Sequence, residues 1–576
     1  MKVLYGLVYS MDKSMQFMYI FLLFSMVVLA VSHHFMKKHT KIWSALCLIP
    51  MLVYIFFLIK EHYVGNAELT IYRYAAFGVV ALILALWGLA IFLKRSYIAY
   101  TIITMVFSTV VLLGSIITIW AVWLMPNVAN YSRLGWTESF EKTIDYLEQE
   151  YVLSDWKDID YDRIREELIP MVEEAEKTGD EVGFAVALYE LKYEINDGHV
   201  EVLGDAGIRD AAISRLAGND YGFSMFRAES GEVVAVLVDE TCECYEKGIH
   251  DGTVITKWNN TPIDEATEGV KCIDRWHSFQ TLENIYIAQP IFLAGQGGEQ
   301  LEVTFINDKN KEETITLSPC GNYLSRRTSA LNILFGDNVI SQDNYSTSMI
   351  DGNVGYLRIT EEEYSLDPLF IAKGTIKGFS WDIYDDLDAR FEELREQGMD
   401  RIIIDIRNND GGNGYEARTV AAMFTKNPVS YYLTLYKDGK YKVMSKAKDV
   451  NACKWDDIPV VVLVNGQTAS AGEEIAHYLK GSTNVTVMGN TTTWGSVQGT
   501  GGAVILSESK FELDFPITPV VGDDYLPIVD VKGDRQSRLS LDYLIEYSKE
   551  EVVELFENPG EDKTLEEAVE YIQQLK

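Results

Sequence analysis

Ser470 closes the run Ile458-Pro-Val-Val-Val-Leu-Val-Asn-Gly-Gln-Thr-Ala-Ser470-Ala-Gly-Glu-Glu-Ile. A β-branched stretch leads into small residues, and the serine then opens a helical stretch. That order lifts a hydroxyl out of a sheet and aims the free N–H groups of a helix start toward it. An oxyanion forming beside the hydroxyl would meet the N–H of Ala471. The same residues also fit a plain N-cap, with Glu473 three positions on completing a capping box. A second element decides for chemistry. Ile402-Ile-Ile-Asp405-Ile-Arg407-Asn408-Asn409-Asp410-Gly411-Gly412-Asn413-Gly414 puts a glycine loop at the end of another strand. Glycines there let backbone N–H groups approach a substrate carbonyl. A base is also needed, and four histidines follow the apolar start of the chain: His199, His250, His277 and His477. His477 is seven residues past Ser470 on the same helix, about 10 Å along its axis, too far to take the serine proton.

The elements that must position these groups are legible from periodicity. From Asn353 onward strands and helices alternate: Val354–Ile359, Arg401–Ile406, Ile458–Val464 and Val485–Met488 read as strands. Trp381–Gln397, Tyr415–Phe424 and Ala471–Lys480 read as helices. Such alternation predicts an α/β core with a mostly parallel sheet, reactive groups gathering where strands end. Upstream, Phe140, Ile144, Leu147 and Tyr151, then Phe184, Leu188, Leu191 and Ile195, recur at helical spacing and predict a small bundle. That bundle ends at Asn196-Asp197-Gly198-His199. Between bundle and core, Tyr221–Pro319 alternates in short runs separated by turn signals, which predicts a β domain.

Charge divides the chain. Residues 1–130 hold nine Lys/Arg and three Asp/Glu, leaving 41 and 82 of the chain's 50 and 85 for the remainder. So acidic a body repels phosphate backbones, which excludes nucleic acid as a partner. Four apolar runs, Met15–Val31, Ile42–Ile59, Tyr74–Leu93 and Tyr97–Leu124, predict four transmembrane helices and a lipid-bilayer partner. Lys37, Lys38 and Lys41, and then Lys94 and Arg95, put the first and third loops in the cytoplasm. A multi-pass cell-membrane protein is expected, with its C-terminal catalytic region outside the cytoplasm. No charge falls within the runs, so they read as an anchor. The six cysteines show no zinc spacing, and free thiols without a disulfide framework are expected. No metal or organic cofactor is indicated.

Several of these motifs resemble known families. Tyr221-Gly222-Phe223, a strand, then Gly248-Ile-His-Asp-Gly252-Thr-Val-Ile255 and Pro262-Ile263 resemble a PDZ domain, whose corresponding loop binds peptide termini. Asp197-Gly198-His199, Val354-Gly-Tyr-Leu-Arg-Ile359, Asp405-Ile-Arg-Asn-Asn409, Thr468-Ala-Ser-Ala-Gly-Glu-Glu474 and Leu565-Glu-Glu-Ala-Val-Glu-Tyr-Ile572 together resemble the C-terminal-processing, or tail-specific, proteases. They also resemble the tricorn-core branch beside them. The resemblance covers residues 136–575 and implies a crotonase-like α/β core. With the apolar runs, it organises the chain as a four-helix transmembrane anchor over 1–130, a helical bundle over 131–205, a PDZ-like domain over 206–320 and a peptidase core over 321–576. It implies a serine endopeptidase acting on peptides or unfolded protein tails. Ser470 matches the nucleophile, and Gly411 and Gly412 match the oxyanion loop. The tail-specific lysine base is missing, because Trp494-Gly495-Ser496-Val497-Gln498 holds none and no lysine lies between Lys480 and Lys510. His199 matches the histidine base of the tricorn-like branch. Asp530 is the candidate third member, with Asp523, Asp524 and Asp534 also open. The alternative from another class is an inactive peptide-binding scaffold or sensor using the PDZ-like domain. An esterase of α/β-hydrolase type would need a Gly-x-Ser-x-Gly elbow, which is lacking here.

Overall fold

A computed structural model describes residues 128–336, 343–426, 432–437, 440–446, 452–522, 525–528 and 539–575. They fall into two compact units. The smaller unit takes in residues up to Arg133 together with Gly501–Ser509, and in it Val128–Asn130 pairs in parallel with Ala503–Ile505. The larger unit takes in Leu134–Thr500 and Lys510–Lys576.

Its first layer is three helices, Trp136–Glu150, Tyr161–Thr178 and Glu181–Ile195. Each buries its apolar stripe: Phe140, Ile144 and Leu147; Ile164, Leu168 and Val172; Phe184, Leu188 and Leu191. Asp160 and Asp180 cap the second and third helices by accepting the N–H groups of Arg163 and Gly183. The third ends at Asn196 in the left-handed region, φ 53°. That turn delivers Asp197 and His199 into the interior before Glu201–Gly204 pairs antiparallel with Phe511–Asp514. The end of the bundle is thereby tied to the core.

The segment read as a β domain holds strands Ser224–Arg227 and Val233–Val236 as an antiparallel pair. A four-stranded sheet runs in the order Thr261–Pro262, Ile255–Trp258, Leu301–Ile306, Glu312–Leu317. A helix, Leu282–Leu293, also belongs to it. Alternation alone did not reveal this helix, because its residues are apolar almost all round.

The core is a six-stranded sheet in the order Tyr345–Asp351, Val354–Ile359, Arg401–Asp405, Val460–Leu463, Val485–Gly489, Tyr543–Leu544. Only the first pairing is antiparallel. Helices Trp381–Glu396, Gly414–Phe424 and Ala471–Leu479 follow successive strands, as the β-branched runs require. Ile402 to Ile404 and Val460 to Leu463 are fully buried, the signature of central parallel strands covered on both faces.

The expected fold class, with four transmembrane helices ahead of the core, is corrected to what the described residues show, a mixed α/β fold with no transmembrane helix among them. The expected multi-pass membrane location is likewise not supported by the described residues, and a bilayer partner is not shown. Among the described residues no helix is long and apolar enough to cross a membrane. The longest, Tyr161–Thr178, carries charged residues around an amphipathic stripe and packs in the bundle. The four apolar runs of residues 15–124 lie outside the described residues.

Candidate active site

After Leu463 the chain turns through Asn465–Ala469. Thr468 Oγ1 accepts from Asn465 N–H at 3.0 Å and donates to Ile406 O at 2.8 Å, locking this turn to the neighbouring strand. Ser470 follows with φ 53° and ψ −121°. Of the capping box anticipated from sequence, the Glu473 half is formed, Ser470 N–H donating to its carboxylate at 3.1 Å, while the Ser470 hydroxyl makes no cap hydrogen bond. An ordinary N-cap, however, sits in the extended region. A positive φ at a serine costs on the order of 1–3 kcal/mol, and such strain gathers at functional sites. A cap has no need of it, so the capping role does not account for the conformation.

The glycine loop lies directly on this elbow. Ala469 N–H donates to Asn409 O at 2.8 Å, and Asn408 and Asn465 exchange bonds of 3.0 and 2.6 Å. Gly411 (φ 93°) is so close that a Cβ there would stand 2.6 Å from Ser470 Cβ and 3.1 Å from Ala471 N. Its own N–H is occupied by Asn409 Oδ1 at 2.8 Å. Among the described residues the N–H groups of Gly412 and Ala471 have no hydrogen-bond acceptor. Of the three anticipated oxyanion donors, therefore, Gly412 and Ala471 remain open while Gly411 provides clearance.

Buried charges hold the loop from below. Asp405 pairs with Arg407 at 2.6 Å and Arg358 at 3.2 Å, and Arg407 reaches Asp562 at 2.6 Å. Burial raises the Asp405 pKa, but the two guanidinium groups outweigh it and hold the carboxyl at about 2. Asn409 Nδ2 donates to Glu362 Oε1 at 2.9 Å, and burial pushes Glu362 up to about 8. A cavity of about 440 Å³ at the Asp405 corner is lined by Tyr356, Arg358, Arg407, Asn408 and Asn465, and by neither Ser470 nor His199. Among the described residues no three His, Cys, Asp or Glu side chains converge as metal ligands.

The segment Thr493–Ser496 joins the elbow to the bundle. Glu473, fully buried, accepts N–H bonds from Gly495, Ser496 and Ser470 at 2.6, 3.0 and 3.1 Å. Ser470 N–H also reaches Ser496 O at 3.2 Å, and Trp494 N–H donates to Thr468 O at 2.9 Å. Gly198 is needed where the bundle meets this segment, since a Cβ there would be 2.9 Å from the Trp494 ring. His199 packs edge-on against Trp494, centroids 5.4 Å apart.

His199 Nδ1 lies 2.8 Å from Ser496 Oγ, and Ser496 Oγ lies 2.8 Å from Asp197 Oδ1. Asp197 also accepts from His199 N–H at 2.9 Å and from Tyr151 O–H at 2.6 Å. Burial works against its charge, yet Lys157, His199 and these bonds prevail and lower its pKa. An ionised Asp197 only accepts. Ser496 must then donate to Asp197 and accept from Nδ1–H, which leaves Nε2 unprotonated. The His199 pKa is lowered by burial, partly offset by Asp197 and Glu201, so the ring stays neutral below its ordinary range. No hydrogen bond joins His199 to Ser470.

The other anticipated residues are placed differently. Asp530, Asp523, Asp524 and Asp534 lie outside the described residues. Tyr221 and Phe223 are buried with their rings on Trp258, and Gly222 N–H donates to Asp220 at 2.8 Å. His277 is buried between Asp274 and Gly336 O, and His250 packs edge-on against Tyr245. Lys480 pairs with Asp542 and Lys510 with Glu181, so neither ammonium group is turned to Ser470. Sequence reasoning missed Ser496 and Asp197. The available signal was an aspartate two residues before His199, and a serine in the stretch where the tail-specific pattern has lysine.

Residues 353–521 match Peptidase family S41. The carboxy-terminal processing protease CtpA of Bacillus subtilis is 32% identical over 146 residues, 25% of this chain and 27% of that protein. A carboxyl-terminal-processing protease of Synechocystis is 29% identical over 140 residues, 24% and 28% of the two chains. The matches thus span about a quarter of these relatives' length. Among solved structures, mature CPAF covers 76% of this chain and 96% of its own at 12% identity, with a TM-score of 0.45, too distant to assign any residue. The segment that matches Peptidase family S41, residues 353–521, is the one that holds the glycine loop and Ser470.

Proposed function

We propose that this chain is a serine endopeptidase cleaving peptides or unfolded protein tails through an acyl-enzyme. Ser470 Oγ attacks the scissile carbonyl carbon while His199 Nε2 takes its proton. The oxyanion is held by the N–H groups of Ala471 and Gly412. Collapse of the tetrahedral species expels the amine, which receives the proton from His199, and water repeats the sequence to free Ser470. Ser496 and Asp197 orient the imidazole and stabilise its cation. The observation that carries this reading is the strained Ser470 at a helix start with Gly411 packed against it.

The lack of a Ser470–His199 hydrogen bond favours one second reading, an inactive peptide-binding scaffold. Apo catalytic bonds are often long, so the gap does not exclude the enzyme. Labelling by a fluorophosphonate probe separates the two. An active site gives covalent adduct on Ser470, lost in Ser470→Ala. The Ser470 hydroxyl makes no cap hydrogen bond, so removing its oxygen costs at most about 1 kcal/mol and leaves the fold intact. An unlabelled wild type, or a Ser470→Ala protein that still hydrolyses peptide, would overturn the enzyme reading.

A further inference from the structure

Cys242 and Cys320 are 78 residues apart in sequence, and their sulfurs lie 2.7 Å apart. A disulfide bond measures about 2.05 Å, so forming one here needs a shift of less than about 1 Å. Cys242 is buried, at the end of the turn that follows Val233–Val236, and Cys320 is exposed, immediately before the short strand Gly321–Asn322.

The Tyr221–Phe223 loop rests on this pair. A Cβ at Gly222 would fall 2.6 Å from Cys242 Cβ and 2.6 Å from Cys244 Sγ. Cys320 N–H donates to Asp220 O at 2.8 Å, and Asp239 N–H donates to Gly222 O at 2.7 Å. Asp220 in turn accepts from Gly222 N–H at 2.8 Å and from Arg326 at 3.0 Å. A covalent link between residues 242 and 320 would clamp the loop's two flanks together.

We propose that Cys242 and Cys320 form a reversible disulfide that fixes the Tyr221–Phe223 loop, with a small-molecule disulfide as oxidant. The exposed Cys320 reacts first, as its thiolate attacks the oxidant and releases one thiolate. Cys242 then loses its proton and attacks the Cys320 sulfur, expelling the second thiolate. Two protein thiols are oxidised to one disulfide while the oxidant is reduced to two thiols. Burial raises the pKa of both thiols, that of Cys242 to about 12, so it is the 2.7 Å approach of the two sulfurs that favours the second, intramolecular step.

The test uses the full-length protein treated with oxidised glutathione or with dithiothreitol, blocked with N-ethylmaleimide and mapped without reduction by mass spectrometry. The expected result is a Cys242–Cys320 linked peptide only after oxidation, with loss of both alkylated thiols, and its absence in Cys320→Ser. Hydrogen exchange at Gly222 and Phe223 should slow in the oxidised wild type and not in Cys320→Ser. Alkylation of both thiols after oxidation, a Cys242–Cys244 link, or glutathione retained on Cys320 without a cross-link would overturn the proposal. A cross-link that leaves the loop's exchange unchanged would overturn its role in fixing the loop.

Discussion

Replacing Ser496 with alanine removes one oxygen and two hydrogen bonds, the 2.8 Å contacts to His199 Nδ1 and to Asp197. Asp197 keeps the Tyr151 hydroxyl at 2.6 Å and the His199 N–H at 2.9 Å, so the carboxylate is not stranded. The loss to stability is that of a buried N–H left unpaired, about 1–3 kcal/mol. The loss to the reaction has another origin. In the transition state His199 becomes a cation, and the Ser496 hydroxyl links that charge to Asp197. A hydrogen bond to a charged group is worth about 1.5–3 kcal/mol, which is roughly 10–150-fold in rate. Substrate does not touch Ser496 in this scheme, so kcat should fall while KM holds. The pH profile distinguishes positioning from general damage. Without the link the buried imidazolium loses support, so its pKa drops further and the acid limb of kcat/KM moves to lower pH. Steady-state hydrolysis of a fluorogenic peptide across the histidine range measures all three quantities. An unchanged kcat in Ser496→Ala, or a lowered plateau with an unmoved acid limb, would refute the assignment of Ser496 as a positioning residue.

Other outcomes follow from the same geometry. Gly411→Ala forces a side chain into φ 93° and within 2.6 Å of Ser470 Cβ; displacing the nucleophile by about 1 Å should cost roughly 10²-fold in kcat with circular dichroism unchanged, and full activity would contradict the close approach. For wild type, the lowered His199 pKa puts the acid limb of kcat/KM below about 6.5, whereas a limb above that value would exclude this histidine as base. Stability carries the same sign: the unfolded imidazole takes its proton first as pH falls through the ordinary histidine range, so urea midpoints should drop there and recover in His199→Gln. Arg407→Ala leaves buried Asp405 with Arg358 as its remaining cationic partner, beside the Tyr356 hydroxyl, and should destabilise by about 3 kcal/mol in urea unfolding, with a loss under about 0.5 kcal/mol contradicting the role of this pair.

The core was legible because its signals are local. Ile402–Ile404 and Val460–Val462 are uninterrupted β-branched runs, and central parallel strands need such runs. Gly411 and Gly412 were legible for the same reason: both occupy positive φ, a backbone requirement visible as residue type. The peptide-binding expectation for Tyr221, Gly222 and Phe223 concerns backbone N–H groups, and the side chains of Tyr221 and Phe223 pack inward against Trp258. Leu282–Leu293 was missed because a helix apolar on most sides has no stripe to betray its period. The described cysteines are free thiols, as spacing leads one to expect, but spacing does not show that the close partner of Cys242 is Cys320, 78 residues away.

The hardest part to read was the chain of bonds behind His199. Asp197 and His199 are two residues apart, and their proximity suggests a direct pair, but their side chains stand 3.9 Å apart at the nearest nitrogen and oxygen. Ser496, 297 residues from His199, fills that gap. Its position is set by Glu473, which lies on the nucleophile helix and draws in the N–H groups of Gly495 and Ser496. The capping-box glutamate therefore serves two ends of the site at once, holding Ser470 by its N–H and bringing Ser496 to His199. That dual attachment explains why a glutamate is buried there despite a pKa raised by burial to about 8. It also yields a last expectation. Glu473→Gln keeps the side chain's length and one acceptor oxygen but replaces the other with a donor facing N–H groups, so either Gly495 or the Ser470–Ser496 pair must give way. A buried N–H left unpaired costs about 1–3 kcal/mol. If the glutamate couples the two ends, Glu473→Gln should lower kcat and displace the acid limb in the direction of Ser496→Ala, and the double variant should lose no more than the worse single one. Fully additive losses would mean that Glu473 supports the helix start alone and that Ser496 reaches His199 by other means.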